Sequence, residues 1–238
     1  MKNLFYILLF LTSGAIVSQT KGKITYLATM NKDSIKKPTE DIKDQAKYDA
    51  LQLIHGSHPV EAYLVFNDSI ALYSVEPKIE IPGWNTTDGQ ITISKANLNL
   101  TWIFAGGESL YYTDWSRDWN ISQKDVYFER KRIKYEEKPW ELTKETKEIL
   151  GYVCYKAVSE VSKLEVWYAP KLNVKHGPQG INGLPGLVLE AKRNRFLIKA
   201  TNIDLENNEY EIIEEPVEGE LMQEAEYRKL GKAIFSKE

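Results

Sequence analysis

The chain has 238 residues, of which 42% are hydrophobic and 27% are charged, a composition typical of a globular protein with a sizeable core. The formal net charge of -3 gives no electrostatic reason to expect a nucleic-acid partner. A short basic run at 192–195 is typical of a solvated hairpin tip. The single cysteine, Cys154, excludes an intramolecular disulfide, and its strand-like surroundings favour a buried structural thiol.

The N-terminus has the pattern of a secretory signal peptide. A short basic start is followed by an apolar run over 4–11 and by small residues up to Ser18. The apolar run is too short for a membrane span, which needs about 20 apolar residues. We therefore expect a signal peptide over 1–18, a single β-rich domain over 19–238, and no membrane-spanning segment. The expected location is the periplasm or the outer membrane, or the extracellular space.

Short apolar or alternating segments predict a strand-rich domain. Apolar residues at helical spacing predict helices over 41–55 and 218–235, and proline and glycine predict loops over 31–40 and 77–89. The predicted strands are 23–30, 60–67, 70–75, 91–95, 99–104, 108–113, 125–135, 151–161, 163–169, 187–192 and 195–203.

The short connections between these strands favour an antiparallel sheet, because parallel strands need long crossover connections. The predicted fold class is mainly β. It consists of an antiparallel meander, with a curved half-barrel as one form that it could take, and one or two flanking helices. The sequence shows no internal repeat and no low-complexity linker, so one domain is expected.

The stretch GPQGINGLPGLVLE at 177–190 is rich in glycine. A phosphate-binding loop would lead into a helix and carry Gly-Lys-Ser/Thr, whereas here a β-like apolar run follows. Leu184-Pro185-Gly186-Leu187 predicts a type II turn, because proline fixes φ at the first central position and glycine accepts positive φ at the second. Asn182-Gly183 offers a second left-handed position. The stretch is therefore interpreted as a turn that leads into a strand.

The same residues carry a resemblance to a known family. Gly183-Leu184-Pro185-Gly186-Leu187-Val188 is similar to the signature of the GLPGLI family of exported Gram-negative envelope proteins, with Val188 in place of isoleucine. The segments 140–157 and 166–168 resemble that family's central block, and Gly177-Pro178 precedes the signature as in the family. The resemblance implies an envelope protein in a family without an established enzymatic function. In fold alone, the arrangement also resembles LolA-like lipoprotein carriers, whose half-barrel surrounds an apolar cavity.

Aromatic side chains provide the candidate binding residues, because they combine a large apolar area with a polar group. Trp115 and Trp119 lie four residues apart in what is predicted to be a polar loop or helical turn, which favours contact with a ligand or partner. For Trp140, Trp167 and Tyr168, packing in the core is the alternative to lining a cavity. The candidate ligand or partner residues are Trp115, Trp119, Trp140, Trp167, Tyr168 and Leu184.

Catalytic and metal sites have less support from the sequence. His176 could act as a general base, but no nucleophile motif such as Gly-x-Ser-x-Gly accompanies it, so a loop histidine is favoured. His55 and His58 are too few for a structural zinc site, which usually has four ligands. Adjacent acids such as Glu136-Glu137 are typical of a solvated surface. No catalytic residue, metal site or cofactor is predicted.

The leading hypothesis is an exported, non-catalytic binding or accessory protein of the cell envelope. It would hold an apolar small molecule in a sheet-lined cavity, with Trp167, Tyr168 or Leu184 on the wall, or dock to an outer-membrane transport or assembly component. A second hypothesis is an envelope hydrolase that uses His176 or a carboxylate pair. A third is a metal-binding protein in which His55 and His58 converge with a further ligand.

Overall fold

A computed structural model describes residues 21–33, 35, 37, 44–77, 84–87, 90–93, 98–206 and 213–235. The expected signal peptide at 1–18 lies outside the described residues, as do 41–43 of the predicted first helix and part of the predicted loop at 77–89. Across the described residues, none of the helices combines the length and apolarity that crossing a membrane requires.

The described chain contains three α-helices and many more strands. The helices are α1 (Gln45–Gly56), α2 (Leu100–Ala105) and α3 (Glu224–Phe235). The strands are β1 (Gly22–Met30), β2 (Val60–Phe66), β3 (Ile70–Val75), β4 (Trp84–Thr87), β5 (Gln90–Ile93), β6 (Leu110–Asp114), β7 (Trp119–Val126), β8 (Glu129–Lys134), β9 (Glu141–Ile149), β10 (Tyr152–Ser159), β11 (Leu164–Ala169), β12 (Leu187–Arg193), β13 (Phe196–Asp204) and β14 (Glu220–Gln223).

Twelve of the strands form one sheet in the order β14-β8-β7-β6-β3-β2-β1-β13-β12-β11-β10-β9, and β4 pairs only with β5. Neighbouring strands are antiparallel except β14 and β8, which run parallel. Within the described residues, β14 and β9 lie at opposite edges, so the sheet is open. The prediction of a mainly antiparallel β fold with flanking helices is confirmed.

Period-two alternation explains why the central strands form. In β1, β2 and β3 every second side chain is buried, as strands with one face in a core require. Two of these buried residues are tyrosines whose hydroxyl groups remain satisfied. Tyr26 donates to the carbonyl oxygen of Val188 at 2.6 Å, and Tyr73 donates to that of Ala105 at 2.9 Å. These two bonds attach β1 to β12 and β3 to the end of α2.

The predicted strand at 99–104 is wrong, because this segment forms α2. The Asn99 side chain accepts a hydrogen bond from the amide of Thr101 at 3.1 Å, which is an N-terminal helix cap. Gly106, with φ of 131°, ends the helix. Ala105 is fully buried, whereas Phe104 stays half exposed. A short apolar run does not distinguish a strand from a short helix that covers a sheet.

Two long strands, β7 and β9, were largely missed by the prediction from the sequence. The start of β7 was predicted to be a polar loop or helical turn. Instead, β7 runs from Trp119 to Val126 and is separated from β8 by a tight turn at Tyr127-Phe128. In β7 the buried polar side chains are satisfied, since Gln123 donates to the carbonyl oxygen of Glu218 at 2.9 Å. β9 is an edge strand in which Lys and Glu dominate, and charged edges protect a sheet from pairing with other chains.

The type II turn predicted at 184–187 is wrong, but the strand that follows it is confirmed as β12. The amide of Gly186 donates to the carbonyl oxygen of Leu184 at 2.9 Å, which is the i to i+2 bond of a γ-turn. The amide of Leu187 donates instead to the carbonyl oxygen of Leu172 at 3.1 Å. The left-handed position predicted at Gly183 is confirmed, with φ of 82°.

Candidate functional site

A groove of about 770 Å³ is the candidate site. On one side it is lined by β6, β7 and α3, which contribute Tyr111, Lys124 and Tyr227. On the other side it is lined by the β12–β13 hairpin, with Arg195 and Phe196 near its tip. Further lining residues lie in α1, α2, the turn between β10 and β11, the short segment 179–182 and the connection between β8 and β9. The groove therefore brings together residues that are far apart in the chain.

Lys124 lies among three tyrosine rings in this groove. Its Nζ atom is 5.3 Å from the ring centre of Tyr111, 5.8 Å from that of Tyr135 and 5.3 Å from that of Tyr227, distances typical of cation–π contacts. The Nζ atom also donates to the Tyr135 hydroxyl at 3.2 Å, and Ser122 Oγ donates to the same hydroxyl at 3.2 Å. Burial raises the pKa of Tyr135 to about 12, so its hydroxyl keeps its proton at neutral pH.

Amide and indole groups fix the segment at 179–182 against the rest of the groove. Asn120 donates to the carbonyl oxygen of Gly180 at 3.2 Å, and Gln179 donates to that of Phe104 at 2.6 Å. Trp140 Nε1 donates to the carbonyl oxygen of Asn182 at 2.8 Å. Because these bonds hold the side chains in place before any ligand arrives, the groove is preorganised.

Of the six candidate binding residues, Trp140 lines the groove. Tyr168 and Leu184 belong to a buried cluster beside it and are 5% and 1% exposed. Trp167 is 8% exposed and is covered by side chains from other strands of the sheet. There Lys147 Nζ sits 4.2 Å from the Trp167 ring centre and 2.6 Å from Glu190 Oε1. The groove lining contains Trp140 but not Trp167, Tyr168 or Leu184.

Trp115 and Trp119 lie half-buried outside this groove. Trp115 Nε1 donates to the carbonyl oxygen of Lys175 at 3.3 Å. Trp119 Nε1 donates to Glu215 Oε1 at 2.9 Å, and Arg117 bridges the carboxylates of Asp114 and Glu215. In both residues the indole N–H group is therefore already bonded within the protein.

His176 is 1% exposed, so it lies in the core rather than at the surface of its loop. Its Nε2 atom is 3.1 Å from the carbonyl oxygen of Asn67, and its Nδ1 atom has no hydrogen-bond partner among the described residues. Burial lowers the pKa of His176 to about 4. No nucleophile or acid of the described chain is hydrogen-bonded to the ring, as a general base would require.

The two histidines proposed as metal ligands are placed by α1 and the residues that follow it. The His58 ring contacts the Asn99 side-chain amide at 3.1 Å, and the carbonyl oxygen of His55 accepts from Lys32 at 2.8 Å. Among the residues that the structure describes, no group of three or more His, Cys, Asp or Glu side chains is arranged to hold a metal ion.

Sequence reasoning missed most of the groove. Tyr111, Lys124, Tyr135 and Tyr227 are not among the candidate binding residues that the sequence suggested. The only available signal was the tyrosine content, since 14 of the residues are tyrosine. That signal does not indicate which tyrosines converge, because β6, the β8–β9 connection and α3 meet only through long-range pairing.

Comparison with known proteins places the chain in a family. Residues 109–228 match the family model described as "N-glycanase peptide, N-terminal domain", which is just over half of the 238 residues. No curated protein matches the chain in sequence.

Two crystal structures of a protein called PNGF-II are similar to the chain. The form in space group P21 is 17% identical with a TM-score of 0.49, over 89% of this chain and 33% of that one. The C2 form is 19% identical with a TM-score of 0.50, over 90% of this chain and 32% of that one. The chain thus spans about a third of the length of the PNGF-II chains. By its sequence match, the chain belongs to the family of N-glycanase N-terminal domains.

Proposed function

We propose that the chain is an exported, non-catalytic binding domain that holds a carbohydrate in the groove. The observation that carries this proposal is the mixed lining, in which aromatic rings stand beside amide groups. Tyr135, Trp140 and Tyr227 supply ring faces, while Asn120 and Gln179 supply donors and acceptors. A sugar presents the matching chemistry, because its C–H faces stack on aromatic rings and its hydroxyl groups bond to amides.

A purely apolar ligand, which the sequence suggested, fits this lining less well. Lys124, Asn120 and Glu136 face the groove together with the apolar side chains. An apolar molecule would remove these polar groups from water without offering them hydrogen bonds, and that costs free energy. A ligand that carries hydroxyl groups avoids this cost.

Family membership supports the same ligand class. The family is named for an N-glycanase, a kind of enzyme that acts on N-glycans. We propose that this domain contributes glycan binding rather than bond cleavage. The burial of His176 and its lack of a bonded nucleophile within the described residues favour this division. Export to the envelope is proposed from the signal-peptide pattern at 1–18 and from the GLPGLI-like motif.

The test is calorimetric titration with neutral oligosaccharides, namely chitotetraose, maltotetraose and a released high-mannose N-glycan. We expect at least one to bind, and Tyr227→Ala to weaken that binding at least tenfold because a stacking face is lost. Tyr155→Ala is the matched control, because Tyr155 is 39% exposed on β10 and lies outside the groove lining. If no saccharide, neutral or acidic, binds, or if Tyr227→Ala binds as well as the control, the carbohydrate proposal is wrong.

Docking to another envelope protein is a second candidate, and one observation favours it. Phe128 is 97% exposed at the tip between β7 and β8, and a projecting aromatic side chain is a common anchor in protein interfaces. Crosslinking in intact cells through a photoreactive residue at position 128 would identify such a partner. Absence of a specific adduct there, with expression confirmed, would rule out this contact.

A further inference from the structure

The charged side chains of the groove differ in sign from the chain as a whole. The chain carries a formal net charge of -3. The groove lining, however, contains Lys124, Lys138, Arg193 and Arg195 and a single carboxylate, that of Glu136. An acidic protein that concentrates cationic groups in one concavity creates a local field that attracts anions.

Not all of these cations are available to a ligand. Lys138 is paired with Glu224 at 2.9 Å, and Arg228 holds the same carboxylate at 2.7 Å. Lys124 differs, because its partners in the described part of the chain are tyrosines and no carboxylate lies within ion-pairing distance. A half-buried ammonium group without a counter-charge is costly, so Lys124 is the cation that would gain most from an anion.

Two hydrogen-bond donors, Lys124 Nζ and the Tyr135 hydroxyl, meet in this corner of the groove. The Tyr135 hydroxyl already accepts bonds from Lys124 Nζ and from Ser122 Oγ, so its own proton is left to donate. Within the described residues that proton has no acceptor. Of the three protons that a lysine ammonium carries, one is used in the bond to Tyr135 and a second in a bond to the Tyr111 side chain, which leaves one. This corner of the groove therefore offers the remaining ammonium proton and the Tyr135 hydroxyl proton as donors, and a carboxylate can accept both.

We infer that the groove selects an acidic saccharide, whose carboxylate binds Lys124 and the Tyr135 hydroxyl while its ring stacks on the neighbouring tyrosines. Arg193 and Arg195 at the β12–β13 tip add to the attraction, since both are exposed and have no carboxylate partner among the described residues. The inference rests on the proposed carbohydrate function and adds the charge of the ligand. A uronic acid or a sialic acid provides the same carboxylate.

The test compares matched pairs of probes that differ in charge. One pair is trigalacturonate and its fully methyl-esterified form, and the other is 3′-sialyllactose and lactose. In calorimetric titration at low salt, we expect the acidic member of at least one pair to bind at least tenfold more tightly. Salt of about 1 M shortens the Debye length to about 3 Å and is expected to remove most of that preference. Which pair shows it distinguishes a uronate from a sialate ligand.

Two variants connect the preference to Lys124. Lys124→Met is expected to abolish the preference for the acidic probe over its neutral partner. Lys144→Met removes the same charge from an exposed position on the edge strand β9 outside the groove and is expected to keep the preference. If Lys124→Met does not fold, Arg195→Gln at the exposed tip and the salt dependence of the wild-type protein still test the inference.

The outcomes separate this inference from the proposal on which it rests. Binding of neutral and acidic probes with equal affinity would overturn the acidic preference and leave carbohydrate binding intact. The inference is also overturned if the acidic probe still binds more tightly than its neutral partner both in Lys124→Met and at high salt. If no saccharide of either charge binds, the acidic preference and the carbohydrate function are both wrong.

Discussion

His176 places an ionisable ring in the core without a partner for Nδ1 among the described residues. Burial lowers its pKa from 6.5 to about 4 in the folded protein. The unfolded chain, with the ordinary value, takes up a proton as the pH falls below 6.5, whereas the folded protein does not until about pH 4. Protonation therefore favours the unfolded state between these values, and stability falls as the solution is acidified.

We predict that, between pH 6.5 and 4, His176→Gln loses up to about 3 kcal/mol less free energy of unfolding than the wild-type protein does. Each pKa unit corresponds to about 1.4 kcal/mol. Urea unfolding at several pH values measures the free energy of unfolding directly. His58→Gln is the control, because His58 is exposed, and it should keep the pH dependence of the wild-type protein. Equal slopes for wild type and His176→Gln would contradict the assignment of this pH dependence to the buried ring.

At the scale of residues, the sequence predicted conformations better than contacts. The left-handed Gly183 and the buried Cys154 were predicted correctly, because glycine chemistry and a strand-like neighbourhood are local signals. The orientation of Trp167 could not be predicted, because a register shift lies between Trp167 and Tyr168 in the pairing with β12. Such an irregularity changes which side chains share a face of the sheet, and alternation alone does not predict it.

At the scale of elements, the β7–β8 hairpin has an unusual tip. Tyr127 and Phe128 both have positive φ, at 53° and 66°, as the two central residues of a type I′ turn require. Asn-Gly usually occupies this position, because the left-handed region costs about 1–2 kcal/mol per residue for side chains with a Cβ atom. Backbone strain of this kind is concentrated in functional loops, which agrees with the second candidate function.

We predict that Phe128→Gly raises the free energy of unfolding by roughly 0.5–1 kcal/mol. Glycine removes the left-handed cost, partly offset by its greater freedom in the unfolded chain, and the 97% exposed side chain contributes little packing. Phe128→Ala is the matched control, because it removes the same ring but keeps a Cβ atom, and it should show no gain. Chemical denaturation measures both variants. Equal stability of the two would mean that the tip is not strained.

The elements that sequence analysis missed share a physical cause. α2 was predicted as a strand because Trp102, Ile103 and Phe104 form an apolar run too short to show a helical period. β7 was missed because its buried positions include Ser122 and Gln123, whose hydrogen-bond partners lie elsewhere in the chain. Local patterns predict strands that bury apolar side chains, whereas strands that bury satisfied polar groups need tertiary information.

At the scale of the whole molecule, the order of the strands creates the groove. β1 lies near the middle of the sheet, between β2 and the late strand β13. This topology brings β6 and β7 to one side of the groove and the β12–β13 hairpin to the other. The class of the fold follows from strand lengths and turns, but the site depends on this pairing, so the sequence predicted the fold class and only Trp140 of the groove.

The same topology protects the single thiol. Cys154 is fully buried in β10, which pairs with β9 and with β11, and burial raises the pKa of its thiol to about 11. Because the thiolate is the reactive form, labelling requires that the strands separate. We predict that a disulfide reagent modifies Cys154 at least about 100-fold more slowly in the native protein than in urea, at a rate that follows opening of this part of the sheet.

The control for this experiment moves the thiol to the surface. Val161 is 61% exposed at the turn between β10 and β11, so Val161→Cys in a Cys154→Ala background should react as fast in the native protein as in urea. Stabilising the fold with a bound saccharide should slow labelling of Cys154 and leave the surface thiol unaffected. If Cys154 reacts in the native protein as fast as the surface thiol, then β9 and β10 open independently of the rest of the sheet. The twelve strands would then not behave as one cooperative unit.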